Sequence, residues 1–167
     1  MEIYRGRRLW IEKLGIRLPN GLAREKVLVH PGNAVAIFPV TGTHCKLLKQ
    51  YRYAVGGYIY EAPAGTMEDG EDPLETAHRE LIEETGFRAE TMEPKGFIYT
   101  TPGFTDEKIY LYEARTLTPS DEYGKDEDEV IEVVDVAIRD LPDMIRDGTI
   151  VDAKTICLVY HCTGGMR

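Results

Sequence analysis

The chain has 167 residues, is 43% hydrophobic and carries 29 acidic against 20 basic side chains, a net charge of −9; this suits one globular unit with a sizeable core and argues against nonspecific binding to nucleic acid or to anionic membranes. No apolar run approaches the roughly 20 residues that span a bilayer, and Met1-Glu2-Ile3-Tyr4-Arg5 lacks the apolar stretch of a signal peptide. Three scattered cysteines, Cys45, Cys157 and Cys162, fit neither a disulfide framework nor a zinc site, which favours a reducing cytoplasm.

Residues 1 to about 30 alternate as strands do, in Leu9–Leu14 and Glu25–Val29, around a turn signal at Leu18-Pro19-Asn20-Gly21. Strands this short cannot bury both faces alone, so they need a partner surface, either a second subunit or their own. Ala34–Val40 and Cys45–Tyr53 predict a hairpin around Thr41–His44, and Tyr58–Ala62 a further strand. Pro63-Ala64-Gly65 then reads as a tight turn whose carbonyls could face the segment that follows.

That segment is a capped helix. Asp72 is the N-cap, Pro73 the first helical residue and Glu75 is placed for a capping box, while Gly86 suits a left-handed stop. With Glu80 set at zero, Glu83 lies at about −60° and Glu84 at about +40°, so three carboxylates crowd one side. Like charges at these spacings repel by a few tenths of a kcal/mol per pair. A solvated acidic face would tolerate that; a divalent cation would reverse it, and Mg²⁺, with its preference for oxygen donors and phosphates, is the natural candidate. Leu74, Ala77 and Leu81 form an apolar stripe beside the acidic arc, and Arg79 stands four residues before Glu83, where it can orient it.

Downstream, Lys108–Ala114 predicts a strand, and Ser120–Glu129 is a dense acidic loop. The loop could be simply solvated, or could supply the general base that water needs for attack on phosphorus. Val130–Val136 predicts a strand, with helices over Leu141–Arg146 and Asp152–His161. His30, His44, His78 and His161 have no companion at ligand spacing. Trp10, the single tryptophan, reads as interface core.

Gly65, Glu71, Arg79, Glu80, Leu81, Glu83, Glu84, Gly86 and Phe87 match the Nudix box at every position, and by them the chain resembles the Nudix hydrolases, which cleave a nucleoside diphosphate linked to another group. The resemblance implies an α+β fold, an α/β/α sandwich around a mixed sheet, with a short N-terminal antiparallel sheet beside it. It implies Mg²⁺, with Mn²⁺ as a substitute, held by Glu80 and Glu84, assisted by Glu83 and the Ala64 carbonyl. Pro102, fifteen residues beyond Phe87, and the Gln50-Tyr51-Arg52 segment resemble the ADP-ribose pyrophosphatase branch.

That branch implies hydrolysis of ADP-ribose to AMP and ribose 5-phosphate, with Arg52 on a substrate phosphate and Glu129, or else Glu127, as the base. It also implies a homodimer built by residues 1–32, with residues 33–167 as the hydrolase domain. Arg24 and Glu25 lie where substrate contacts from a second subunit occur, and Glu107 could bind the distal ribose or simply cap the next strand. Two rivals remain: a Nudix pyrophosphatase for another nucleoside diphosphate sugar or a dinucleotide, and a non-catalytic nucleotide-binding module. The intact set of carboxylates weighs against the module.

Overall fold

The computed structural model describes residues 1–124 and 130–164. Strands β1 (Glu2–Arg5), β2 (Trp10–Arg17) and β3 (Ala23–His30) form a separate antiparallel sheet in that order. The predicted turn closes it: Gly21 adopts φ 82° and donates its N–H to the Leu18 carbonyl at 2.8 Å, a conformation in which a β-carbon would be strained.

The remaining strands make one mixed sheet. They are β4 (Ala34–Thr41), β5 (His44–Arg52), β6 (Gly57–Glu61), β7 (Ala64–Thr66), β8 (Phe87–Tyr99), β9 (Lys108–Pro119) and β10 (Ile131–Ala137). Its main path runs β10-β5-β4-β9-β8, with β6 paired to β5 and β7 to β4. Only β4 and β9 run parallel; the other pairings are antiparallel. Pro39, which has no N–H to give, falls between the part of β4 that pairs β7 and the part that pairs β5.

Helix α1 (Pro73–Thr85) covers one face of this sheet. A short 3₁₀ turn (Ile138–Asp140), α2 (Leu141–Arg146) and α3 (Ala153–Thr163) close the chain. Side chains of a strand alternate between faces, and β4 uses both. Val35 and Ile37 pack with Ala77 and Leu81 of α1, while Ala36, Phe38 and Val40 pack with Leu158 and Val159 of α3. The strand is therefore apolar at nearly every position, and the expected sandwich results.

Two expectations need correction, and one strand went unforeseen. Pro63-Ala64-Gly65 is not a tight turn: Ala64 to Thr66 is strand β7, antiparallel to Ala34–Ala36. Leu74 is 40% exposed and outside the stripe, whereas Thr76, Ile82 and Thr85 join Ala77 and Leu81 in the buried arc. Strand β8 is 13 residues long yet was hidden, because its exposed, polar positions and Pro94 break the alternation and a bulge lies between Pro94 and Gly96.

The N-terminal sheet is hydrogen-bonded to the main body at its third strand. Val29 donates to the Phe104 carbonyl at 2.8 Å and bridges Thr105, and His30 Nδ1 lies 2.6 Å from Asp106 Oδ2. Trp10 stacks on the His30 ring, with centroids 3.7 Å apart and planes 10° from parallel. His30 thus has companions that spacing could not reveal. Among the described residues no helix is long and apolar enough to cross a membrane.

Candidate active site

Helix α1 carries the carboxylates and the chain before it holds them. Asp72 caps the helix by accepting from the Leu74 N–H at 2.8 Å, and Gly86 ends it at φ 74°. Arg79, in the second turn, is the centre of the cluster. Its Nε and Nη2 grip both oxygens of Glu71 at 3.0 Å each, and its Nη1 reaches Glu80 at 2.7 Å and Glu83 at 2.9 Å. Such a fork suits paired oxygens as a lysine would not. The Arg79 fork and further hydrogen bonding hold the Glu71 carboxyl down at about 2, and Glu71, with the neighbouring carboxylates, raises the guanidinium in turn.

Glu84 is buried, 6% exposed, and its Oε2 accepts the Ala64 N–H at 2.7 Å. Ala64 therefore meets the helix through its amide. Gly65, next along β7, makes the close approach possible, since a β-carbon there would sit 1.9 Å from Glu80 Cδ. Because β7 is paired to the buried strand β4, these contacts fix α1 against the sheet.

Glu80, Glu83 and Glu84 open into a cleft of about 840 Å³, which Ala64, Arg52 and Glu107 also line. Arg52, at the end of β5, donates its Nε to Glu61 at 2.7 Å. Glu107 accepts from Thr100 Oγ at 2.6 Å and follows the turn that contains Pro102, where Phe104 and Thr105 donate to the Thr101 carbonyl. Arg24 and Glu25 do not line the cleft; they lie on exposed β3, with Glu25 bridged to Lys13 at 2.7 Å. Glu127 and Glu129 lie outside the described residues.

The residues suit a hard divalent ion in kind, since every candidate donor is an oxygen. Among the described residues, however, no three acidic, histidine or cysteine side chains are gathered as an ion site would gather them. Arg79 takes an oxygen from each of Glu80 and Glu83, and the Ala64 amide one from Glu84.

Three further cleft residues, and one buried partner behind them, went unforeseen in the sequence. Arg7 and Arg8 form the exposed tip of the β1–β2 hairpin, closed by the Gly6 N–H on the Leu9 carbonyl. Lys154 sits in the first turn of α3 and pairs with Glu61, the last residue of β6, which is 3% exposed. A lone charge closing the apolar-aromatic run Tyr58-Ile59-Tyr60 was the available signal for Glu61.

A family model described as NUDIX domain matches residues 30–158. An ADP-ribose pyrophosphatase of Bacillus subtilis (strain 168) and a methanol dehydrogenase activator of Bacillus methanolicus are each 38% identical over 163 residues, covering 96% of this chain and 88% of the relative. A GDP-mannose pyrophosphatase of Cronobacter sakazakii (strain ATCC BAA-894) is 35% identical over 138 residues, covering 78% of this chain and 72% of the relative. A crystal structure of an ADP compounds hydrolase superposes with a TM-score of 0.87 at 24% identity, over 98% of this chain and 89% of that one, a likeness of fold.

Proposed function

The chain belongs to the Nudix hydrolase family, and from that premise we propose that it hydrolyses the diphosphate bond of ADP-ribose in a reaction that depends on a divalent metal. The observation that carries this reading is the single cleft into which the box carboxylates, Arg52 and Glu107 all open. Oxygen donors on one side chain set and guanidinium on another are what a metal-bound diphosphate requires.

Glu80, Glu83 and Glu84 with the Ala64 carbonyl would hold Mg²⁺, and the same oxygens suit Mn²⁺. When bound, the ion supplies Lewis-acid stabilisation of the charge that builds on the phosphoryl oxygens. Arg52 binds a phosphate through its planar fork. Glu129, or in its place Glu127, takes the proton of a water whose oxygen forms the new bond to phosphorus. The bridging P–O bond breaks, and AMP and ribose 5-phosphate leave. Glu107 binds the ribose distal to the adenosine.

The N-terminal residues 1–32 serve as a dimerisation segment for the hydrolase domain of residues 33–167. Exposed Ile3, Tyr4 and Val27, at 53%, 54% and 48%, leave that sheet with apolar surface to cover. Arg24 and Glu25, outside their own subunit's cleft, would then reach the cleft of a second copy. Free thiols at Cys45, Cys157 and Cys162 fit a cytoplasmic enzyme.

A second reading is hydrolysis of another nucleoside diphosphate sugar, favoured by the similarity to the GDP-mannose pyrophosphatase. Nucleoside monophosphate release over ADP-ribose, ADP-sugars, GDP-mannose, NADH and dinucleoside polyphosphates with Mg²⁺ separates the two. The highest kcat/KM on ADP-ribose is expected. A higher value on GDP-mannose would transfer the assignment, and no release from any of them would end it.

A further inference from the structure

Beyond the residues that touch substrate, a buried chain of charges joins helix α3 to Arg52. Glu61 shares its two oxygens: Oε2 accepts from Arg52 Nε at 2.7 Å and Oε1 from Lys154 Nζ at 2.5 Å. Lys154 is held in turn by Asp152 Oδ1 at 3.1 Å. The other oxygen of Asp152 caps α3, accepting from the Thr155 N–H at 3.0 Å and its hydroxyl at 2.6 Å. The Thr155 hydroxyl oxygen also accepts the Ala62 N–H at 2.7 Å. The first turn of α3 thereby clasps two successive residues, Glu61 and Ala62, just before the β7 segment that holds Glu84.

Side-chain exposure is lowest in the middle of this chain, 4% at Glu61, against 12% at Lys154 and 38% at Arg52. A carboxylate as dry as Glu61 needs a counter-charge, and because Lys154 is shared with Asp152, two cations balance two carboxylates along the chain. Buried ion pairs add little net stability over apolar packing. The bond to Arg52 also has a geometric effect. Taken at Nε, the nitrogen nearest the side-chain stem, it fixes the plane of the guanidinium, whose remaining fork geometry is what matches a phosphate. Arg52 and Lys154 both line the cleft.

We infer that Glu61 and Lys154 are positioning residues that set the Arg52 guanidinium for the diphosphate. The inference rests on the reading of Arg52 as a phosphate contact given above. Neither residue touches substrate; both act through Arg52.

The test combines steady-state kinetics on ADP-ribose with calorimetric binding of inorganic pyrophosphate, a probe of any diphosphate site. Glu61→Gln is expected to raise KM and the pyrophosphate Kd about ten-fold with kcat little changed, the loss of one charge-assisted hydrogen bond in binding. Lys154→Met should do the same, and Lys154→Arg should restore both. In an Arg52→Ala background Glu61→Gln should add nothing, because the residues act as a unit.

An unchanged KM and Kd in Glu61→Gln, or a full further loss in the double variant, would overturn the proposal. Should Glu61→Gln fail to fold, the Lys154 pair decides by the same criteria. Wild-type protein inactive on ADP-ribose would sink the substrate reading alone, leaving pyrophosphate binding to judge the positioning role. An Arg52→Ala variant with unaltered pyrophosphate affinity would refute both the contact and its positioning.

Discussion

The carboxylate of Glu80 occupies the space where a side chain on Gly65 would begin: a β-carbon there would lie 1.9 Å from Glu80 Cδ and 2.0 Å from its Oε1. The glycine is needed for this approach between strand β7 and helix α1. Gly65→Ala should therefore displace the Glu80 carboxylate, the movable end of a flexible chain, at a stability cost of only about 1 kcal/mol. Activity should fall roughly 10- to 100-fold, the usual effect of disturbing how a metal ligand is held. Thermal unfolding alongside metal-dependent turnover measures both; a variant with wild-type turnover would contradict the expectation.

Glu84 is the most buried of the box carboxylates, and Gln at this position keeps an oxygen for the Ala64 N–H. Glu84→Gln and Glu80→Gln should each remove about 10²-fold or more of the turnover, since the lost charge is what the ion requires. The circular dichroism spectrum should stay that of the wild type, and excess chelator should abolish wild-type activity until Mg²⁺ is restored. Near-normal rates in either variant would remove it from the ligand set.

The Arg79–Glu71 fork predicts an acid-sensitive contribution to stability. The folded Glu71 carboxyl is held at about 2 against an ordinary 4.5. A lowered carboxylate favours the folded state above its unfolded value, and that advantage disappears as pH falls through the folded one. Urea midpoints of wild type and Glu71→Gln should thus differ by a constant amount above pH 4.5 and converge toward pH 2. A gap that stays the same down to pH 2 would show that Glu71 acts by packing and not by charge.

For the base, Glu129→Gln should lower kcat by roughly 10²–10⁴ and flatten the acid limb of the pH–rate profile. If the loss appears instead in Glu127→Gln, with Glu129→Gln near normal, the proton acceptor is Glu127.

The helix of the box was legible because each of its signals is local: the Asp72 cap with Pro73, the Gly86 stop and the Arg79–Glu83 spacing each involve near neighbours in the chain. Buried β4 was equally plain, being apolar toward both α1 and α3. The Glu61–Lys154 pair was not, because its members stand 93 positions apart and are joined only where the first turn of α3 meets the end of β6. The role of Glu71 as the second half of the Arg79 fork was hidden for a related reason: the loop before α1 folds back over the second helical turn. Strand β8 escaped because its exposed polar positions, Pro94 and the bulge beside it interrupt the alternation.

The junction of the two sheets sits beside the cleft. Phe104, Thr105 and Asp106 are each tied to Val29 or His30, and the very next residue, Glu107, forms part of the cleft wall. The N-terminal sheet is thus attached like a handle whose rivet is one peptide from the cleft wall. Whatever grips that sheet, or a substitution at His30, therefore bears on the segment that leads directly into Glu107.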